Sequence, residues 1–450
     1  MSEGSIQTNF ILTGNYKKVM LKLAIPAVLS MFLTAVNTFI DAIYIGQFIG
    51  EQAVAGVSLA LPLTQIALAI GSLIGAGSSA IASIAIGAKN ISDQKKIWGN
   101  IVNLNIVFGF IVTLLCFIFS KNLIQLIGGK GDLLKYGHEY FSVYTLGTIF
   151  ISFGASLLAL IRSEGRIKQA LYFILANISI NIALTPILMH YLELGVRAAA
   201  ISTIIANIAM CIIIVLYYAK GKSTLNIDMK SYKFDKIIIK KTLSIGMASF
   251  LLVFMNIVQM FFLFSVISSY NVEREVAIYG ATGRIMLLLL TPVFGMSRAL
   301  QPVVGINYGA KQFVRLEKHI KTFNVIGTIS ILLFSLIITL FVNDILGFIL
   351  PNYEFSKTEL INVSVLIIST IFTPLAFNSL TFLQSIGNGK TAGMLTMARQ
   401  IIFFIPGVLI ASKIWGITGI YFSLASFDLL LFFICLLILN RVFKSIKTMN

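Results

Sequence analysis

Apolar runs of about 20 residues recur from one end of this chain to the other, each long enough to cross a hydrocarbon core roughly 30 Å thick. Inside hydrocarbon every backbone N–H and C=O must find its partner within the chain, so such runs fold as helices. Twelve can be marked out, at 19–45, 54–87, 97–119, 136–162, 169–190, 194–219, 239–269, 276–309, 320–342, 356–386, 392–411 and 416–442. Of the residues 58% are hydrophobic and 11% charged, whereas soluble domains carry roughly a quarter charged residues. With a mean hydropathy of +0.93, the length stands for a dozen spans rather than three soluble domains. The expected fold is all-α and integral to the membrane.

The net charge of +17 would suggest nucleic acid in a soluble protein, but here the location of the charges decides. One set of alternating segments, counted with the parts of the spans beside them, collects 25 of the 34 Lys and Arg residues, among them Lys17, Lys18, Lys89, Lys95, Arg162, Lys230, Lys311, Lys390, Arg399 and Arg441. The opposite set holds seven, and Arg284 and Arg298 fall within a helix. The positive-inside rule then puts both termini in the cytoplasm and makes the number of spans even. Nucleic acid is not an expected partner; the bilayer of the cell (inner or plasma) membrane is. Residues 1–15 are polar and lack the basic start and short apolar stretch of a cleaved signal. Cys116, Cys211 and Cys435 are far apart inside apolar runs, and the three histidines are scattered, so neither a disulfide framework nor a metal clip is indicated. No phosphate-binding loop, zinc ligand pair or nucleophile with a base is present, so no enzyme activity and no cofactor is expected. Without an ATPase module, any uphill transport must draw on an ion gradient.

The longest polar segment, 219–241, carries seven lysines. It divides the chain into two halves, 1–218 and 242–450, whose residues repeat at a fixed offset. Gly87-Ala88-Lys89 returns as Gly309-Ala310-Lys311, and Ser163, Gly165, Lys168 and Ala170 return as Ser385, Gly387, Lys390 and Ala392, all 222 positions on. Leu23 and Ile25 match Leu243 and Ile245 at 220. Six spans per half is an even number, so both halves enter from the same side, as a parallel repeat. Such duplications let one bundle rock against the other around a central site, giving alternating access.

Ionisable residues inside spans are functional candidates, because uncompensated polar groups in hydrocarbon are costly. Asp41 is the clearest. On the first span Thr34, Asn37, Thr38, Asp41 and Tyr44 form one polar stripe, and Pro26 earlier in that helix frees a carbonyl and permits a bend. A carboxyl group so placed can bind a cation, take up a proton, or simply hydrogen-bond a neighbouring helix. The fifth span offers Asn177, Asn181 and Thr185 ahead of Pro186, and the sixth Ser202, Thr203 and Asn207. These either converge with Asp41 in an oxygen-rich pocket or act as interhelical hydrogen-bond glue. Gln65 on the second span is a weaker candidate. The second half has Asn256, Gln259, Asn378 and Gln384 but no matching carboxylate; its charges are Arg298 on the eighth span and Asp428 on the twelfth, a candidate pair. Phe, Tyr and Met are plentiful, and linings rich in them can repack around varied guests and favour lipophilic cations.

The motifs resemble those of the MATE (multidrug and toxic compound extrusion) family, nearest its bacterial MepA-like and DinF-like branch. The likeness covers nearly the whole chain. It rests on Pro26, Asp41, Ile45-Gly46, Ala53-Val54-Ala55-Gly56, the run Gln301-Pro302 to Gly305, Asn307-Tyr308-Gly309-Ala310, and Gln384-Ser385, Gly387, Arg399-Gln400, Gly416 and Gly419. The resemblance implies twelve transmembrane helices in two pseudo-symmetric six-helix bundles, acting as a monomeric multidrug efflux antiporter that exchanges H⁺ or Na⁺ for organic cations and drugs. It also implies coupling at Asp41, with Asn181, Thr203, Asn37 and Thr185 around it. One departure matters: the family usually has Asp directly before the fifth-helix proline, where this chain has Thr185 before Pro186. The acidic pair used by some members in the second half is also missing. That leaves Asp41 as the one acid of the pocket, a set better suited to a proton than to Na⁺. The rival reading is a flippase of lipid-linked saccharides or peptidoglycan precursors, which shares the broader fold but would hold pyrophosphate with several deep cations; Arg298 alone stands deep here.

Overall fold

The computed structural model describes residues 3–447 except 230, 231, 269, 271, 272 and 352. Lys230, and the last residue of the predicted seventh span, lie outside the described residues. The described chain is helical, without strands. The first half runs α1 (Glu3–Thr13), α2 (Tyr16–Phe48), α3 (Glu51–Gly87), α4 (Ile91–Ile118), α5 (Ser120–Leu126), α6 (Gly131–Leu146), α7 (Thr148–Ser163), α8 (Ile167–His190) and α9 (Arg197–Ala219). The second runs α10 (Lys236–Ser268), α11 (Glu273–Gly309), α12 (Phe313–Leu340), α13 (Val342–Ile349), α14 (Lys357–Ser369), α15 (Thr373–Ser385), α16 (Gly389–Met397) and α17 (Ile405–Lys447).

Among the described residues, ten helical stretches are long and apolar enough to span, and α6 with α7, bent by 60°, makes an eleventh. The last stretch, Gly389–Ser445, has 57 residues, far more than the ~20 that one crossing needs. It breaks at Gly416, whose φ of 60° lies in the left-handed region, so it supplies two crossings. The count is twelve, in two bundles. Between Met397 and Ile405 the chain makes a π-helical turn, Ala398–Phe404. Helix starts carry side-chain caps: Asn15 accepts from the N–H of Lys17 at 3.0 Å, and Asn90 from that of Asp93 at 3.1 Å.

The repeat read from sequence reappears in the backbone. Lys89 and Lys311, 222 positions apart, both take φ near 55° (54° and 57°). The turns around them share one pattern, Asn90 N–H to Ala85 O and Gln312 N–H to Asn307 O, each 2.9 Å. Gly165 and Gly387 end their helices at φ 76° and 87°.

The two bundles meet along a seam that obeys the same symmetry. A Cβ on Gly87 would lie 2.1 Å from Ile306 O, and one on Gly309 would lie 2.1 Å from Ile84 O; both partners are related by the 222 offset, as an isologous contact requires. Gly305 meets Ser83, its own counterpart, on the axis. Gly246 against Leu73 in α3 is echoed by Gly295 against Val28 in α2. Small residues let helix backbones approach closely where lipid supplies no hydrophobic drive. All these approaches fall in the halves of α3, α10 and α11 nearer the lysine-rich ends. Beyond Ala248, α10 has no further fully buried position among the described side chains until Leu263, so its close packing ends there and leaves room for a cleft toward the opposite side.

The lysine-rich connection is an ordered strap rather than a free loop. Glu164, at the end of α7, accepts from the Tyr218 hydroxyl at 3.0 Å, Ser223 Oγ at 2.9 Å, and Thr224 N and Oγ1 at 2.7 and 2.5 Å. Burial pushes the Glu164 carboxyl up, and these hydrogen bonds draw it back. Lys96 and Asp235 meet at 2.9 Å, and the Lys96 ammonium holds the Asp235 carboxyl below the usual range. Replacing Glu164 by Leu strands several donors in a buried place, at a cost of about 2–4 kcal/mol. The expected outcome is a lower apparent Tm in detergent and rapid trypsin cleavage after Lys220 and Lys222; a strap as resistant as wild type's would show the carboxylate to be dispensable.

The polar N-terminal stretch also forms a helix that sequence did not announce. Ile11 in α1 is 0% exposed. Arg315 of α12 donates to the carbonyls of Ile11, at 3.1 Å, and Gly14, while Gln7 donates to Gly165 O. One short helix thus touches both bundles at the lysine-rich end.

Candidate functional site

The polar stripe of α2 faces α8 and α9. With the Asn181 amide oriented to satisfy both its ends, its nitrogen lies 3.0 Å from Asp41 Oδ1 and 3.2 Å from Asn37 Oδ1. Its oxygen accepts from Ser202 Oγ and Thr203 Oγ1, both at 3.2 Å, and from Thr203 N at 3.3 Å. Thr185 donates to Asn181 O at 2.9 Å or exchanges a hydrogen bond with Ser202 Oγ at 2.7 Å. Asn181 and Thr185 are 2% and 0% exposed, whereas Asn37, Asp41 and Thr203 are half-buried. Asn181 is therefore a fixed fork that holds an accessible carboxylate on its nitrogen side. Asn177 lies one turn earlier on α8, and its amide nitrogen is buried without a hydrogen-bond partner. Pro26 lies inside α2, four turns before Asp41. Gln65 is exposed on α3, apart from this cluster's hydrogen bonds.

The second bundle arranges its polar residues differently. Asp428 pairs with Arg399, at 3.5 Å, and not with Arg298. Ser369 donates to the other Asp428 oxygen at 3.4 Å. Hydropathy alone groups Arg399 with the lysine-rich segments; it lies instead on the π-helical turn, which turns its guanidinium toward the final helix. The neighbouring Gln400 donates to Gln259 Oε1 at 2.9 Å. Asn256 is exposed on α10. Asn378, expected on a cavity wall, is 1% exposed and fully engaged in the interior, accepting from Ser297 at 2.9 Å and donating to Asn324 at 2.9 Å. Arg298 is exposed on α11, and among the described residues no ion pair or hydrogen bond engages it. Sequence reasoning passes over Arg162 and the role of Arg399. Arg162 closes the fourth span and Arg399 lies eight residues into the eleventh, where the one available signal is an Arg-Gln dipeptide interrupting an apolar run.

Two six-helix bundles meeting along a glycine seam, with one accessible carboxylate held in an otherwise neutral pocket, define a multi-pass membrane transporter rather than an enzyme. The profile of the MatE family matches residues 26–187 and 245–410, and the chain belongs to that family. The chain is 25% identical over 414 residues to the multidrug export protein MepA of Staphylococcus aureus strain MSSA476, spanning 90% of each protein. It is 24% identical to the MepA of Staphylococcus haemolyticus over 412 residues, covering 90% of this chain and 89% of that protein. Among solved structures, it superposes with a TM-score of 0.91 on a MATE crystal structure in the bent conformation, at 22% identity and covering 100% and 99% of the two chains. It superposes at 0.88 on the MATE multidrug transporter DinF-BH, at 28% identity and covering 94% and 95%.

Proposed function

We propose that this protein is a multidrug efflux antiporter that exports lipophilic organic cations in exchange for protons, with Asp41 as the coupling group. The observation that carries the reading is the Asn181 fork. It brings Asp41, the one carboxylate of the pocket, against neutral partners only: the terminal amide of Asn181 lies 3.0 Å from Asp41 Oδ1 and 3.2 Å from Asn37 Oδ1. A sodium ion takes a shell of oxygen ligands, as hard cations do, and this pocket offers a single carboxylate among neutral groups. A proton needs only the carboxylate itself. Thr203, Ser202 and Thr185 fix the fork from behind, so the charge state of Asp41 is the variable in the pocket. When Asp41 is charged it attracts a cationic guest; when it is protonated the attraction is lost, and the two loads exclude one another. The two bundles, 1–218 and 242–450, rock about the glycine seam while the strap 219–241 keeps them joined. Both termini and the strap face the cytoplasm, by the excess of lysines on that side, so the cleft opens outward in this arrangement. The working unit is one chain in the plasma membrane.

Dye efflux in inverted vesicles tests this directly. An imposed proton gradient alone, in sodium-free buffer, is expected to drive uptake of a cationic dye, and a sodium gradient at equal pH is expected to drive none. Transport that needs sodium and ignores the proton gradient would sink the coupling assignment and return Asp41, Asn37 and Thr203 to an oxygen cage.

A further inference from the structure

Two arginines near the seam have no place in the scheme above. On α11, Gly295 faces Val28 of α2 and Gln301 donates to Ser79 of α3. Arg298 lies three residues from each, on the face they share, so it points into the first bundle. On α7, Ala159 meets Gly75 of α3, and Arg162 follows three residues on. Using α3 as the common ruler, Arg298 stands level with about Ala76 and Arg162 with about Ser79, less than one helical turn apart. The Arg162 guanidinium is in electrostatic range of Arg298, and its Nε is buried without a hydrogen-bond partner. Among the described residues no ion pair joins either to a carboxylate. Arg298 is nevertheless exposed, and the tight contacts of Gly305, Gly309 and Gly87 lie between it and the lysine-rich end. Solvent therefore reaches it on the floor of the cleft.

Deep charges normally pair with one another or with opposite charge, and an uncompensated one is costly. Two like charges, one half-buried and one exposed, leave that cost to be offset by a guest. The guanidinium fork matches a planar carboxylate bidentately. We infer that Arg162 and Arg298 form an oxyanion subsite on the cleft floor, which receives the carboxylate of zwitterionic amphipathic guests. This inference rests on the transport reading and extends its substrate class: the Asp41 pocket takes the cationic end of a guest, or a purely cationic guest, and the arginine pair takes the anionic end.

A matched dye pair tests it. Rhodamine 110 carries a free carboxylate, and rhodamine 123 is its methyl ester. Fluorescence anisotropy on the purified protein gives Kd for each, and the readout is the ratio of the two. Arg298→Gln and Arg162→Gln are each expected to lower the preference for the acid over the ester at least about tenfold, the loss of one charged hydrogen bond. Arg298→Lys, which keeps the charge and bulk but not the fork, is expected to fall between, and serves if the glutamine variants aggregate. A ratio unchanged within about twofold in the variants, or a wild type that ignores the carboxylate, overturns the subsite. Failure of wild-type vesicles to move even the ester would instead overturn the transport reading, so the two failures are separable.

Discussion

Asp41→Asn is expected to reduce gradient-driven efflux to the level of protein-free vesicles while leaving the fold intact. The geometry explains both halves of that expectation. Asn181 donates to Asp41 Oδ1, and an asparagine at 41 still offers an oxygen in the same place, so the hydrogen bond survives and stability changes by no more than about 1 kcal/mol. What disappears is the ability to carry a charge or a proton. Of the chain's 17 acidic residues, only Asp41 and Asp428 lie deep within spans, and Asp428 is already matched to Arg399. No second group in the first bundle can take over. A cationic dye should bind the variant weakly and with no dependence on pH, whereas wild-type affinity should fall as the pH is lowered and Asp41 is protonated. The measurements are vesicle efflux under a pH gradient and dye binding across a pH series. Coupled efflux by Asp41→Asn at the wild-type rate would reduce Asp41 to a hydrogen-bond acceptor between helices.

The spans, the twofold repeat and the pocket around Asp41 could be read from sequence because each depends on short-range regularity. Hydropathy over about 20 residues marks a span, and an i, i+4 spacing puts Asn181 and Thr185 on one face of α8 whatever else the chain does. The meeting of Asp41 with Asn181 needed more, since a polar stripe on one helix does not say which helix it faces; family likeness supplied that. What escaped depends on long-range placement. The pairing of Arg399 with Asp428 hangs on a π-helical turn that advances the register by a residue, and nothing in its apolar sequence announces it. Arg162 and Arg298 stand at similar depth because α7 and α11 both lean on α3. Helix α1 is polar and weakly amphipathic, and it is held by Arg315, far along the chain in the other bundle. Asn378 has the same composition signature as a cavity asparagine and is distinguished only by its partners Ser297 and Asn324.

The second large effect is expected from the seam. In Gly246→Ala the new Cβ would sit 1.7 Å from Leu73 O and 2.7 Å from its carbonyl carbon. Both obstacles are helix backbone, so no rotamer change relieves the clash, and α3 and α10 must part by about 1.5 Å to reach ordinary contact. Overpacking of this kind costs about 1–3 kcal/mol, with rigid backbone on both sides placing it at the upper end. The penalty falls only on the arrangement in which this end of the seam is closed. About 3 kcal/mol shifts the balance against that arrangement by roughly a hundredfold, and a carrier that must visit both arrangements then stalls in one. Spin labels at Lys95 and Lys318, both exposed near the lysine-rich ends of the two bundles, report the separation there. The three native cysteines are buried and leave the labelling selective. Double electron–electron resonance is expected to show a longer distance in Gly246→Ala than in wild type, together with a severe loss of efflux. A matching loss is expected from Gly295→Ala, since Val28 lies against Gly295 as Leu73 lies against Gly246, and the pseudo-twofold axis relates the two contacts to within about one helical turn. Normal efflux with an unchanged distance in both variants would mean that the seam yields at little cost, and that the bundles do not turn about it.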